Sequence, residues 1–198
     1  MMNSEAKFFD SVRAGILGPT LSAGEVEGCS NILKAMAGTP IAFVAYALAT
    51  AYHETNSTMQ PVREAYWLSE DWRKKNLRYW PWYGRGYVQL TWEGNYVKAD
   101  EELTQAGLIK AGELVGNPDL AMRPDIAAFI LRRGMTEGWF SGDKKGRHTL
   151  ARYLPAKGSA TLAQFTAARP IINLHDKDLI IARAAMQFQT AAIAGGWA

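Results

Sequence analysis

The sequence lacks the features that would indicate a disulfide-stabilised, membrane-spanning or secreted protein. It has one cysteine in 198 residues, so no intramolecular disulfide can form, and we expect Cys29 to be a small buried residue on a helix. Its longest apolar run, residues 41–52, falls short of the roughly 18 residues of a membrane-spanning helix. The N-terminus has no basic segment followed by an apolar one, so no secretory signal is predicted. We therefore expect synthesis in the cytoplasm and no stable membrane insertion.

Charge is also in short supply. The net charge is +3, the pI is near 9.0, and charged residues make up 21% of the chain. This excess favours approach to anionic polymers, but no basic cluster of the density typical of nucleic-acid-binding proteins occurs, so no nucleic-acid partner is expected. The histidines His53, His148 and His175 lack zinc-ligand spacing, and no glycine-rich phosphate loop is found. No metal and no cofactor are predicted.

What the sequence does contain is helical periodicity in a composition that suits a folded domain. Hydrophobic residues make up 48% of the chain, enough for a sizeable core. Ser22-Ala23-Gly24-Glu25 has the capping-box pattern that starts a helix, and Thr91 is a candidate N-cap for a later one. The patterns predict an all-α fold, or an α-rich one with a minor β-hairpin, with six to eight helices. Residues 1–198 are expected to form a single domain.

The chemically informative stretch runs from Tyr46 to Tyr96. An apolar helix over residues 42–52 ends in His53-Glu54-Thr55. The C-terminal end of a helix carries partial negative charge, and this dipole and burial both disfavour an ionised Glu54. A carboxylic acid that stays protonated can donate its proton to a glycosidic oxygen. The alternative is an ordinary, solvated helix-end carboxylate that is paired with a lysine or arginine.

Cleavage of a glycosidic bond needs a second carboxylate, and the following segment offers Glu64, Glu70 and Asp71. An inverting enzyme holds its two carboxyl groups about 6.5–9.5 Å apart, with a water between them. Glu64 lies past Pro61 and is the first choice for the general base. Glu70 and Asp71 stand beside a basic run and look like a surface charge cluster. Because one sequence does not fix loop geometry, all three remain candidates.

The next pattern is Tyr83-Gly84-Arg85-Gly86, in which two glycines let the backbone approach a ligand closely. Strand-like alternation over Tyr87-Val88-Gln89-Leu90 predicts a short extended run. The hydroxyl of Thr91 is placed to position a water. Tryptophan and tyrosine residues crowd the range 67–87. Sugar rings stack on exposed aromatic faces, although most buried aromatic side chains only pack in cores.

These motifs resemble glycoside hydrolase family 19, the chitinase family, and in particular its bacteriophage endolysin-type members. The motifs that carry the resemblance are His53-Glu54-Thr55, Tyr83-Gly84-Arg85-Gly86 with Gln89-Leu90-Thr91, Asn95-Tyr96, Asn117-Pro118-Asp119-Leu120, Pro124-Asp125-Ile126-Ala127 and Ile171-Ile172-Asn173. The likeness covers residues 8–173, which is most of the chain. Each motif alone is unspecific, whereas the combination in this order is specific.

The resemblance implies an α-rich, lysozyme-like fold with two lobes around a substrate cleft, and hydrolysis with inversion. Glu54 matches the general acid of the family, and Thr91 matches the residue that helps hold the attacking water. Glu64 is the general base by alignment. The residues that match substrate-binding or site-supporting positions are Tyr83, Arg85, Gln89, Asn95 and Asn173. Tyr87 stands where plant chitinases have proline, and this departure puts chitin as the natural substrate in doubt.

The resulting prediction is an endolysin that cleaves the β-1,4 glycan strands of bacterial peptidoglycan and lyses the cell. We expect a monomer with no separate wall-binding domain, made in the host cytoplasm and acting on the wall after another protein permeabilises the membrane. The alternatives are a chitinase acting on N-acetylglucosamine polymers and a non-catalytic wall-binding protein of the same fold. A toxin delivered into competing bacteria would use the same chemistry. Muramidase and glucosaminidase cleavage both remain open.

Overall fold

The computed structural model describes residues 2–173 and 176–197, so His175 lies outside the described residues. The helices in this part of the chain are α1 (Glu5–Ala14), α2 (Ala23–Ala35), α3 (Ile41–Glu54), α4 (Glu70–Asn76), α5 (Glu93–Gln105), α6 (Glu113–Gly116), α7 (Pro124–Glu137), α8 (Leu150–Tyr153), α9 (Leu162–Ala167) and α10 (Asp178–Ala194). Two small antiparallel sheets pair β1 (Val62–Arg63) with β2 (Arg85–Gly86) and β3 (Gly142–Asp143) with β4 (Gly146–Arg147). The predicted α-rich fold with minor hairpins is confirmed, and the described helices outnumber the six to eight expected.

The central element is α3, which is buried along almost its whole length. Every residue from Ala42 to Ala51 is inaccessible or nearly so. Helix α3 packs mainly against α10 and also contacts α2 and α7, while α1 and α9 pack on α10. Alanines at 42, 45, 47, 49 and 51 let these helices approach closely. Because its sides are covered by other helices, α3 holds its last residue, Glu54, on a rigid support.

Helix α2 begins as the sequence predicts. The Ser22 hydroxyl accepts from the Glu25 N–H at 3.1 Å, and the Glu25 carboxylate accepts from the Ser22 N–H at 2.7 Å, a complete capping box. Cys29 is buried on this helix, and burial raises the pKa of its thiol to about 12, with Glu25 adding to the effect. Cys29 is therefore an unreactive core residue.

The segment after β2 differs from the prediction. Arg85 and Leu90 exchange two backbone hydrogen bonds, at 2.9 and 3.2 Å, so residues 87–89 form a tight turn instead of an extended run. Gln89 takes a left-handed backbone with φ of 53°. Thr91 is not the N-cap of α5, because Trp92, with φ of 75°, precedes that helix and the Thr91 hydroxyl donates to the Gln89 carbonyl at 2.7 Å. The strand-alternation argument was wrong because this loop folds on itself.

Candidate active site

Glu54 closes α3 with a side chain that is 17% exposed and ion-paired. Arg169 Nη1 donates to Glu54 Oε1 at 3.0 Å, and Arg169 Nε donates to the Asp176 carbonyl at 2.7 Å. Arg169 is itself buried and lies in a 3-10 turn that follows α9. Glu54 thus has an arginine partner, as the alternative explanation requires, but it is largely shielded from solvent rather than solvated.

The partner of Glu54 is the main residue that sequence reasoning missed. Arg169 is 115 positions away in the chain, and no local pattern connects the two. Asn173, a predicted substrate-binding residue, is exposed and lies next to this pair, since its N–H donates to the Arg169 carbonyl at 3.1 Å. The structure therefore brings Asn173 to the Glu54 end of the site.

Glu64 follows β1 directly and has both carboxylate oxygens occupied. Tyr79 donates its hydroxyl proton to Glu64 Oε1 at 2.6 Å, and the Gly84 N–H donates to Glu64 Oε2 at 2.9 Å. The Glu64 backbone is fixed as well, because its N–H donates to the Gly84 carbonyl at 2.7 Å and its carbonyl accepts from Arg73 Nε at 2.9 Å. Glu64 is thus fixed in position through both its backbone and its carboxylate.

Position 84 requires glycine because the surrounding atoms leave no room for a side chain. A Cβ atom there would lie 2.7 Å from Gln89 Oε1 and 3.2 Å from Glu64 Oε2. The Gln89 amide nitrogen donates to the carbonyl of Val62 at 3.1 Å and to that of Gly86 at 3.3 Å. Gln89 therefore ties the turn to β1 and stands beside Glu64.

A cleft of about 550 Å³ joins these groups, and both Glu54 and Glu64 line it, with Gln89. Tyr66 and Trp67 form part of its wall, pack edge to face at 5.2 Å between ring centroids, and are 49% and 72% exposed. Exposed aromatic faces beside two carboxylates suit a sugar polymer. Trp67 is one of the aromatic residues that the sequence concentrates over the range 67–87, whereas Tyr66 was not predicted to contact a sugar.

His53 also lines the cleft. Partial burial lowers the pKa of its imidazole; the neighbouring Glu54 opposes this effect and Arg169 adds to it. His53 is therefore neutral at and above neutral pH. Across residues 2–173 and 176–197, no group of three or more His, Cys, Asp or Glu side chains is arranged to hold a metal ion. No helix in the same part of the chain is long and apolar enough to cross a membrane.

Thr91 and Asn95 stand behind Gln89 rather than among the residues that line the cleft. The Thr91 hydroxyl donates to the Gln89 carbonyl, and Asn95 Nδ2 donates to the Thr91 carbonyl at 2.8 Å. Both side chains therefore support the left-handed turn at Gln89 through local hydrogen bonds. Thr91 is half-buried, two positions from a residue that does line the cleft.

Tyr83 and Arg85, two further predicted substrate contacts, lie elsewhere. Both are buried, and the Arg85 guanidinium lies 3.6 Å from the centroid of the Tyr83 ring. Arg85 Nη1 donates to the carbonyls of Pro81 and Tyr83 and to the Tyr96 hydroxyl, at 2.8, 3.1 and 3.1 Å, and Arg85 Nε donates to Asp119 at 2.8 Å. The protein itself thus holds Nε and Nη1 of Arg85.

Glu70 is exposed, with 54% of its side chain accessible, and its carboxylate is also held by three neighbouring side chains. Its carboxylate accepts from the Trp80 indole at 2.9 Å, from the Tyr83 hydroxyl at 2.8 Å and from Arg73 at 3.3 Å. Burial raises the pKa of Glu70, but these hydrogen bonds and the charge of Arg73 outweigh it and bring the pKa below its usual value. Asp71 is exposed. Of the three candidate bases, Glu64 alone shares the cleft with Glu54.

A second cavity, of about 530 Å³, is lined by residues of both β1 and β2. We call it the arginine pocket; its charged lining consists of Arg63, Arg73, Arg85, Glu70 and Asp119. Hydrogen bonds from Arg63 and then Arg85 hold the pKa of Asp119 below its usual value, against the opposing effect of burial. Arg63 lines both the cleft and the arginine pocket, so the two cavities meet at this residue.

The comparisons with known proteins bear on the fold. No protein-family model matches the chain, and no curated protein matches it. Among solved structures, the chain is similar to chitinase C from Streptomyces griseus HUT6037, with a TM-score of 0.59 and 21% sequence identity over 96% of this chain and 76% of that one. The chain thus has the α-rich, lysozyme-like fold of that chitinase. At this identity the likeness concerns the fold and not the activity.

Proposed function

We propose that this protein is a glycoside hydrolase that cleaves β-1,4 bonds of bacterial peptidoglycan with inversion. The observation that carries the proposal is that Glu54 and Glu64 line one cleft whose wall includes the exposed rings of Tyr66 and Trp67. Inverting hydrolysis needs two carboxyl groups with room for a water between them, and a cleft of this size accommodates sugar rings.

In the proposed mechanism the two carboxyl groups have different roles. Glu64, with a donor on each oxygen, is the base that takes a proton from the attacking water. Glu54 is the acid that protonates the leaving oxygen. It ends the buried helix α3, lines the cleft and is held in place by Arg169.

Other residues assist the two carboxyl groups, and the charge of the protein suits its place of action. Thr91 positions the cleft residue Gln89 through its hydrogen bond to the Gln89 carbonyl, and Gln89, Asn95 and Asn173 bind the substrate or support the site. We propose that the protein acts as a monomer on the wall of a host cell after another protein has opened the membrane. A net charge of +3 suits an anionic wall.

A second candidate is a chitinase, because the similar solved structure carries that name. The two functions differ in the sugar polymer and share the two carboxylates. Release of reducing ends from purified peptidoglycan and from chitin oligomers, measured side by side, separates them. Mass spectrometry of the new ends on peptidoglycan then identifies the cut as that of a muramidase or a glucosaminidase, and NMR of the fresh anomeric centre tests inversion.

The decisive variant is Glu54→Gln, which keeps the size of the side chain and removes the transferable proton. We expect a loss of activity of at least 10²-fold, the scale of general acid catalysis, with the circular dichroism spectrum unchanged. Glu137→Gln is the matched control, because Glu137 also ends a helix and is also ion-paired with an arginine, Arg133, at 2.7 Å. Full activity of Glu54→Gln would overturn the mechanism. Binding to peptidoglycan without new reducing ends in the wild type would indicate a wall-binding protein instead.

A further inference from the structure

The arginine pocket has a charge imbalance that its own residues do not remove. Three arginines face two carboxylates among its lining residues, which leaves an excess of one positive charge. Arg73 is buried and donates to Glu70 and to two backbone carbonyls, and Arg85 is only 4% exposed, with its Nε and Nη1 held by the protein. The side chain of Arg63 is 40% exposed. Arg63 is therefore the cation of this pocket that a ligand can reach.

Arg63 can also change partner at little cost. It now binds Asp119 through two hydrogen bonds, from Nε at 3.3 Å and from Nη2 at 2.8 Å. Asp119 is shared, because it also accepts from buried Arg85 at 2.8 Å. If Arg63 turns to a ligand, Asp119 and Arg85 remain paired and no buried charge loses its partner, which is the costly event in such exchanges.

The position of Arg63, between the cleft and the arginine pocket, determines which part of a bound glycan it can contact. Arg63 directly precedes Glu64 in the chain, pairs across the hairpin with Arg85, and lines both cavities. A glycan whose backbone lies in the cleft would therefore direct a branch on a neighbouring ring into the arginine pocket, whose volume of about 530 Å³ suits a small ligand group.

We propose that the arginine pocket is a subsite for the carboxylate-bearing branch of the glycan, and that Arg63 is the residue that binds it. This inference rests on the proposed function, since peptidoglycan carries a lactyl ether, extended by a peptide, on alternate sugars. Chitin has no anionic branch. The pocket thus selects a branched, anionic glycan over a neutral one, and the carboxylate of the lactyl group and those of the peptide are its two possible sources.

The test measures binding in the Glu54→Gln background, so that no probe is consumed. The probes are chitotetraose, a soluble peptidoglycan tetrasaccharide with its peptides, and the same tetrasaccharide after an amidase has removed the peptides. We expect the protein with Arg63 intact to prefer the anionic probes, and Arg63→Gln to reduce the ratio of anionic to neutral affinity by about 3- to 10-fold, as expected for a half-exposed charged hydrogen bond. A reduction confined to the peptide-bearing probe identifies the peptide carboxylates as the ligand. A reduction confined to the amidase-treated probe identifies the lactyl carboxylate, which is free only after the amide bond to the peptide has been cut. A reduction with both anionic probes shows that the pocket binds either carboxylate.

Arg123→Gln is the matched control. Arg123 binds Asp125 with the same two-bond geometry, at 3.3 and 2.7 Å and with a side chain that is 49% exposed, and it does not line the pocket. The proposal is overturned if Arg63→Gln weakens all probes equally, or if the two variants change the ratio alike. If Arg63→Gln does not fold, salt dependence decides. Affinity of the Glu54→Gln protein for the anionic probes must fall more steeply with salt than that for chitotetraose. Peptidoglycan hydrolysis by the wild type is measured separately, so its absence would refute the proposed function without deciding the subsite.

Discussion

At the scale of single residues, the phenol of Tyr79 is the group that most directly controls Glu64. Burial, and then the hydrogen bond to Glu64, raise the pKa of Tyr79 to about 12, so it remains a proton donor across the working range of pH. Its 2.6 Å hydrogen bond to Glu64 Oε1 fixes the orientation of that carboxylate. Tyr79 is thus a positioning residue for the base.

Tyr79→Phe removes this bond and leaves the ring. We predict a fall in kcat/KM of about tenfold, the size expected for one hydrogen bond to a charged group. Tyr83→Phe is the control, since it removes an equivalent bond to Glu70, at 2.8 Å. A fall in kcat/KM with Tyr83→Phe and none with Tyr79→Phe would make Glu70 the base.

The second residue-scale prediction concerns the ion pair between Glu54 and Arg169. Each is the other's charged partner, and Arg169 is buried, so removing either one strands a shielded charge. We predict that Glu54→Gln and Arg169→Gln each destabilise the fold and that the double variant loses less than the sum. A coupling of about 1–3 kcal/mol should appear in urea unfolding of the four proteins. Additive losses would mean that the pair contributes nothing to stability.

At the scale of elements, α2 rests directly on the loop that leads from α3 to β1. A Cβ at Gly28 would lie 1.7 Å from the Met59 carbonyl oxygen, a backbone atom that cannot move aside alone. At Gly24, one turn earlier, the nearest atom is Gln60 Cγ at 3.1 Å, which belongs to a side chain and not to the backbone. The same substitution therefore meets a rigid obstacle at one glycine and a movable one at the other.

We predict that Gly28→Ala lowers the free energy of unfolding by about 3 kcal/mol, as a backbone must shift. Gly24→Ala, on the same helix, should lie within about 1 kcal/mol of the wild type, because alanine's higher helix propensity offsets the contact. Thermal melts of the two variants provide the measurement. Equal melting temperatures would show that the backbone at Met59 moves to accommodate the new methyl group, and that packing against α2 does not determine the conformation of this loop.

The same scale explains which elements a sequence can predict. The capping box at Ser22 and Glu25 is local, so the residues involved are visible together in the sequence. The turn at Gln89 and the start of α5 at Trp92 depend on left-handed backbones at residues other than glycine, for which the sequence carries no signal. The turn at Gln89 is held both by local hydrogen bonds and by the bond from its amide to the distant Val62 carbonyl. The placement of Thr91 behind the cleft follows from that turn.

At the scale of the whole molecule, the two carboxylates belong to parts of the chain that differ in how deeply they are buried. Glu54 ends the most buried helix, whereas Glu64 lies before a segment, residues 66–80, that is largely exposed. Helices α3 and α10, distant in sequence, pack together to form the first support. The apolar run predicted this core helix, but Arg169, brought to Glu54 by that packing, had no counterpart in the local sequence.

This difference in support predicts a difference in hydrogen exchange. Amides of residues 43–51 should exchange only through global unfolding, since every neighbour is buried, whereas amides of residues 66–80 should exchange through local opening. Low concentrations of urea should therefore accelerate the first set strongly and leave the second nearly unchanged. A bound chitin oligomer should protect amides near Trp67 and leave those of α3 as they were. Equal sensitivity of both segments to urea would mean that they unfold as one unit. Substrate that orders the segment after Glu64 would then also stabilise α3, which carries Glu54.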